Sequence, residues 1–505
     1  MSRPLHLLLR PVAAVAMATT LFALPQSGFA QKERLPGAST RSVALATPSA
    51  PNQFGPRQVW IGQSTSALVS ALAVPAESTP GLIPGVGGLV LVLSIVVEET
   101  QAEESFTLYV PPTPPGVERP MLVAFHGFNV SHLDIWANTS FIDECQARDW
   151  ILIAPYQRNL APTGPGTSQI SFGSAESQLH VRAVIQYVLD RFAVDRDRIY
   201  GVGFSMGGGA AMSYAARNRD REEGALAAVV NHTGTVALQH VYANADTNTQ
   251  ALMRRIFTAS PQFAPFEYNR ASVIEMDANG VLVLGGYHMA RNLTDVPVRT
   301  YYGIGDGQAY LIDEAQALHS YMSLISTNHE LLALPADCPF PAQQGHCWDT
   351  IDETEVCDWL GSKSLAGQGQ IGQVLADRSG KWGSLDVDPA VSGDFASFDY
   401  SISSSQNSIR ILGSDNLETL ALDLAELGLN RNATVGLRLG SADGTGDDIV
   451  LSAYGAPPSA VMRNGVLVNP DCTLSGAAAW CLDPATGDLR ICEPGPQTAI
   501  WSVTP

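Results

Sequence analysis

Short apolar runs and segments of three- and four-residue apolar spacing follow one another from Leu89 to Leu360. Leu89–Val97, Ser105–Val110, Pro120–Phe125, Trp150–Ala154, Arg198–Phe204, Ala225–Val230, Val298–Ile304 and Glu330–Leu334 read as strands, because each is short and stops at turn residues. Ser174 to Phe192 is the clearest helix. Its Val181, Val184, Ile185, Val188, Leu189 and Phe192 make one apolar stripe that needs a sheet to cover it. Met206–Arg217, Ala309–Ser326 and Trp348–Leu360 read as further helices. Strands alternating with helices predict an α/β fold: a mostly parallel sheet flanked by helices on both faces.

Two regions depart from this rhythm. The stretch 231–295 is long and mixed, with aromatics at Phe257, Phe263, Phe266 and Tyr268, and reads as an insertion between two core strands. From about Ser379 the runs shorten and alternate, as in Phe398–Ile402, Ser408–Leu412 and Thr434–Leu439, with turn residues between them. Residues 379–505 are therefore expected to form a C-terminal all-β domain. A catalytic domain over 76–370 and a Pro-, Ser- and Ala-rich extension over 31–75 complete the expected organisation.

The first thirty residues read as a signal peptide. Arg3 and Arg10 precede the apolar run Val12–Leu24, which is shorter than the roughly 20 residues a bilayer span needs, and Gly28-Phe29-Ala30 offers a cleavage site after Ala30. Export to the periplasm or the medium is expected. Seven cysteines fit an oxidising compartment. Cys338, Cys347 and Cys357 form one group and Cys472, Cys481 and Cys492 another; each can close one bridge and leave a thiol, and the two leftovers can pair across domains. Cys145 is expected to be a free, buried thiol. A formal net charge of −20 argues against nucleic acid or an anionic lipid surface as partner.

The motif that carries chemistry is Gly203-Phe204-Ser205-Met206-Gly207, between an expected strand and an expected helix. That context is a nucleophile elbow, with the serine on a sharp turn, glycines relieving crowding, and a helix N-terminus favouring negative charge nearby. A serine hydroxyl needs a base to take its proton and an acid to orient that base. Asp306, in Gly305-Asp306-Gly307 directly after Val298–Ile304, is the candidate acid, with Asp313 as runner-up. His346, in the loop after Glu330–Leu334, is the candidate base; His319 and His329 are less well placed. A bridge between Cys338 and Cys347 would bracket His346, and Cys347 with Cys357 is the competing pair. Acyl transfer also needs donors for an oxyanion: the N–H of Met206 and that of Phe128, in His126-Gly127-Phe128-Asn129. Phe128 and Trp348 are candidate walls of the substrate pocket, with plain core aromatics as the equal alternative. No metal-ligand spacing, phosphate loop or dinucleotide fingerprint stands in the sequence, so no cofactor or metal is expected.

The stretch Val194 to Gly208, with His126-Gly127 upstream and Gly345-His346-Cys347-Trp348 downstream, resembles the secreted polyhydroxybutyrate depolymerase and feruloyl esterase group of α/β-hydrolases over about residues 89 to 362. The resemblance implies an α/β-hydrolase fold and a serine esterase acting on polyesters or aryl esters, with Ser205 as nucleophile, Asp306 as acid and His346 as base. The chain departs from that pattern at Met206, at Phe128-Asn129 and in the long 231–295 insertion. The expected reaction is hydrolysis of a carboxylic ester, small or polymeric, through an acyl-enzyme. A serine peptidase of the prolyl-oligopeptidase type, a binding protein on an inactive hydrolase scaffold, and an acyltransferase are the alternatives.

Overall fold

A computed structural model describes the backbone of residues 58–62 and residues 88–505, apart from 113–115, 160–168, 336–337, 339–342, 368, 444–445, 474–476 and 496–497. The expected signal peptide and most of the 31–75 extension lie outside the described residues.

The first sheet has nine strands: β1 (Gln58–Gly62), β2 (Leu89–Val97), β3 (Ala102–Val110), β4 (Arg119–Phe125), β5 (Ile151–Pro155), β6 (Val194–Phe204), β7 (Ala228–His232), β8 (Val298–Ile304) and β9 (His329–Pro335). Their order is β1-β2-β3-β5-β4-β6-β7-β8-β9. The pairs β1–β2, β2–β3 and β3–β5 are antiparallel and the others parallel. All seven residues of β4 are buried, which explains why Pro120–Phe125 reads as a continuous apolar run: a central parallel strand is covered on both faces. On one face Val181, Val184, Ile185 and Val188 of the helix Ala175–Leu189 join the core, and on the other Phe141, Ile142, Val356 and Leu360 do so.

The expected last helix, Trp348–Leu360, divides in two. Trp348–Thr350 is one 3₁₀ turn, and a helix Glu353–Gly361 starts afresh, because Asp352 caps it by accepting from the N–H groups of Thr354 and Glu355. Between β7 and β8 the chain makes helices Leu238–Asn244, Thr247–Ile256 and Pro265–Ala271 and a 3₁₀ turn Met289–Leu293. These cover an apolar cluster of Ile170, Phe172, Met206, Leu238, Met253 and Phe257.

From Ile371 onward the chain is all β and forms sheets of seven and six strands. Ile371–Ala376, ahead of Ser379, already pairs with Ala396–Ser403 in the first of them. Each sheet contains one parallel pair, Ser408–Asp415 with Val435–Ser441 and Leu417–Asp423 with Asp447–Ser452. Phe398, Ile409, Leu437 and Trp501 of one sheet and Leu420, Ile449 and Leu489 of the other share one buried cluster. This β unit is tied to the helix Met206–Arg217 by a buried carboxylate. Asp377 accepts from Arg217 Nε at 3.1 Å and Nη2 at 2.6 Å and from Arg270 Nε at 2.8 Å, and these guanidinium groups hold its pKa below the usual range against the opposing effect of burial.

Cys338–Cys347 and Cys472–Cys481 are bonded, while Cys145, Cys357 and Cys492 are free. The expected cross-domain pairing of the leftover cysteines does not form. Cys357 is buried in the core beside the first sheet, whereas Cys492 lies on a strand of the C-terminal unit.

Candidate active site

At the end of β6 the chain turns within one residue. Ser205 has φ 55° and ψ −123°, and the helix begins at Met206. That backbone is sparsely populated for a side-chain-bearing residue and persists only where the surroundings enforce it. Here the enforcing contacts are tight. A Cβ on Gly203 would lie 2.1 Å from Gly207 O, and one on Gly207 would lie 2.2 Å from Phe125 O and 2.4 Å from His126 O. The Ser205 N–H donates to His232 O at 2.9 Å, so β7 holds the turn from the other side.

Asp306 and His346 approach on two loops that touch. The Gly307 N–H donates to Gln344 O at 2.7 Å, with no room for a side chain on Gly307 beside Gln344. Gly305 and Gly345 take φ of 82° and 81°, the left-handed conformation that glycine adopts without a Cβ clash. Asp306 Oδ1 accepts from the N–H of Gln308 at 2.8 Å, leaving Oδ2 to face the histidine.

The three candidate side chains form one continuous relay. His346 Nδ1 is 2.8 Å from Asp306 Oδ2, and His346 Nε2 is 2.9 Å from Ser205 Oγ. Asp306 is buried and the His346 side chain is 18 % exposed, so the relay opens to solvent at its histidine. The Phe204 ring stacks 4.6 Å from the His346 ring and 5.2 Å from Trp348. Behind it His232 is fully buried; burial, with a smaller contribution from His346, lowers its pKa to about 3 and keeps it neutral. Sequence reading did not single out Phe204 or His232. Their signal was adjacency alone, one beside Ser205 and one at the end of the neighbouring strand.

Met206 is fully buried at the helix start, and Phe128 is 36 % exposed with its ring 5.8 Å from that of Phe172. Next to Phe128, the ring nitrogens of His126 lie 2.9 Å from Gly127 O and 2.8 Å from Tyr156 O. Trp348 is 4 % exposed and its indole Nε1 donates to Asp134 Oδ2 at 3.0 Å, which places it under the relay as packing. The runner-up residues stand apart: Asp313 is exposed on its helix, and His319 and His329 pair with each other at 3.1 Å. Among the described residues no group of three His, Cys, Asp or Glu is placed to hold a metal ion.

A strand–turn–helix elbow on a mostly parallel sheet, met by an aspartate loop after β8 and a histidine loop after β9, is the arrangement of the α/β-hydrolase fold. Residues 120–260 match the family model described as alpha/beta hydrolase fold. The chain has the α/β-hydrolase fold. Among curated proteins none matches it in sequence. Similar solved structures include an S-formylglutathione hydrolase of Staphylococcus aureus (15% identity, 54% of this chain and 98% of that one, TM-score 0.37). A ferulic acid esterase is similar at 16% identity over 55% of this chain and 98% of that one, with a TM-score of 0.37. An esterase of the archaeon Pyrobaculum calidifontis is similar at 16% identity over 59% of this chain and 87% of that one, with a TM-score of 0.39. At such identities and scores they say nothing about the substrate of this chain.

Proposed function

We propose that this α/β-hydrolase is an exported serine esterase that cleaves carboxylic esters through an acyl-enzyme. The observation that carries the reading is the unbroken relay from Ser205 Oγ through His346 to Asp306, with separations of 2.9 and 2.8 Å. In this reading Ser205 Oγ attacks the ester carbonyl carbon and its proton passes to His346 Nε2. Asp306 Oδ2 accepts a hydrogen bond from the Nδ1–H of His346, fixing the tautomer and stabilising the imidazolium as it forms. The carbonyl oxygen becomes an oxyanion that the amides of Met206 and Phe128 would receive, each such donor supplying about 3–4 kcal/mol. Collapse expels the alcohol, which takes the proton back from His346. Water then enters, is deprotonated by the same nitrogen, and releases the acid.

Two bonded cysteine pairs are consistent with an extracellular location. No described helix is long and apolar enough to cross a membrane. Polyester or aryl ester is the substrate class suggested by the sequence resemblance.

The test is covalent labelling. A fluorophosphonate should modify Ser205, identified by mass spectrometry of the labelled peptide, and Ser205→Ala should abolish the adduct. A probe that attaches elsewhere, or not at all to the folded protein, would rule the reading out.

A further inference from the structure

The helix Ala309–Ile325, which begins just after Asp306, carries a carboxylate with no exposed surface. Glu314 Oε2 accepts from the Val236 N–H at 2.8 Å and the Ala237 N–H at 3.0 Å, and Oε1 lies 3.1 Å from His240 Nδ1. Val236 and Ala237 precede the helix Leu238–Asn244, so one carboxylate satisfies backbone donors that its first turn cannot. Burying a charged carboxylate costs several kcal/mol unless it is fully hydrogen-bonded, so its retention at this position calls for an explanation.

The residues one and two positions earlier supply it. The Thr235 N–H donates to the carbonyl of Ser205 at 3.2 Å. A Cβ on Gly209 would lie 2.1 Å from Thr235 O, and one on Gly208 would lie 2.9 Å from Gly234 Cα. Residues 234–237 are thus a strap with one side on the nucleophile turn and the other on Glu314. We propose that Glu314 is a positioning residue, whose bonds to Val236, Ala237 and His240 press this strap against the elbow and so fix Ser205 Oγ relative to His346. The proposal rests on the reading of Ser205 as nucleophile.

The surroundings make the strap sensitive to protons. Glu314 is pushed up to about 7 by burial, and His240 is raised chiefly by its bond to Glu314. The other ionisable groups facing the pair are Asp313 on the same helix, Asp277 from the turn before Gly280, and the Tyr310 phenol. A protonated Glu314 loses its charge, and its carbonyl oxygen is a weaker acceptor for the Val236 and Ala237 N–H groups than a carboxylate oxygen is.

The experiment compares wild type, Glu314→Gln, Glu314→Ala and Ser205→Ala on p-nitrophenyl acetate across pH 5 to 9, with the melting temperature of each recorded. Glutamine keeps an acceptor for the two backbone donors and does not titrate. We expect Glu314→Ala to lose about tenfold or more in kcat with KM within about twofold, at temperatures where it is folded. Glu314→Gln should recover most of kcat at pH 8 and show one protonation on the acid limb where wild type shows two. Wild-type kcat in folded Glu314→Ala, or the same acid limb in Glu314→Gln and wild type, overturns the proposal. Activity retained in Ser205→Ala overturns the nucleophile reading instead, so the two failures are distinct.

Discussion

Trp348 and Asp134, 214 positions apart, are joined by a 3.0 Å hydrogen bond from the indole Nε1 to Oδ2 beneath the His346 loop. The indole also packs edge-on to Phe141 at 5.8 Å and against Phe204 at 5.2 Å. Its place is to support the histidine from below. Asp134→Ala would leave a buried N–H unpaired, at a cost of about 1–3 kcal/mol. Urea unfolding should show that loss, and Trp348→Phe, which removes the donor as well, should lose less than Trp348→Ala.

Gly207→Ala should be far more damaging than its size suggests. The added methyl would meet two backbone carbonyls, Phe125 O and His126 O, neither of which can swing aside. The turn would have to open, and displacement of a nucleophile by about 1 Å costs on the order of 10²-fold in rate. Esterase assays on the purified variant should show at least that loss. Activity near wild type would mean that the elbow tolerates more than its contacts imply.

The Cys338–Cys347 bridge closes a short loop, with a separation of nine residues, immediately before and around His346. Cys338→Ser should lower stability by about 2–3 kcal/mol on the chain-entropy argument. Because the freed segment presents the base, kcat should fall more than KM rises. Steady-state kinetics of the variant beside urea unfolding checks both.

Acid should destabilise the fold before it protonates the salt bridges. Burial holds His132 and His232 down to about 3 and His288 and His329 down to about 4. Below their ordinary 6.5 the unfolded chain takes up protons at these four positions while the native state does not, so stability falls with pH through that window. Glu314, raised to about 7, Asp447, raised to about 6, and His240 and Asp386, both also raised, act in the opposite sense, because their native forms bind protons first. The four histidines, held at about 3 to 4 and so neutral in the native state across the whole window, set the net fall. Urea midpoints measured from pH 7 to pH 5 should decline, and a flat or rising series would contradict the burial assigned to the histidines.

Much of the first sheet is legible in the sequence. Leu89–Val97, Met206–Arg217 and Val298–Ile304 have the bounds expected from their patterns; Leu89 follows Gly88, Met206 follows the elbow serine, and Val298–Ile304 lies between Pro297 and Gly305. Ser205, Asp306 and His346 can be picked out because each follows a recognisable strand, and the structure brings those three side chains together. Other features depend on contacts between distant positions, which periodicity does not encode. Trp348 packs on Asp134, Phe141 and Phe204, contacts that its place beside His346 in the sequence does not encode. Glu314 attracts no notice in a helix pattern, because the donors it serves lie more than seventy positions earlier. That the leftover cysteines stay unpaired follows only from the fold, where Cys357 is buried in one core and Cys492 lies on another unit.

In the proposed reaction Ser205 and His346 act together on an ester carbonyl. Hydrolysis of p-nitrophenyl esters of increasing acyl length, with wild type beside Ser205→Ala and His346→Ala, tests it most directly. Wild type should turn the esters over, and either variant, while folded, should lose several orders of magnitude in rate. Folded Ser205→Ala hydrolysing the same esters at the wild-type rate would contradict it.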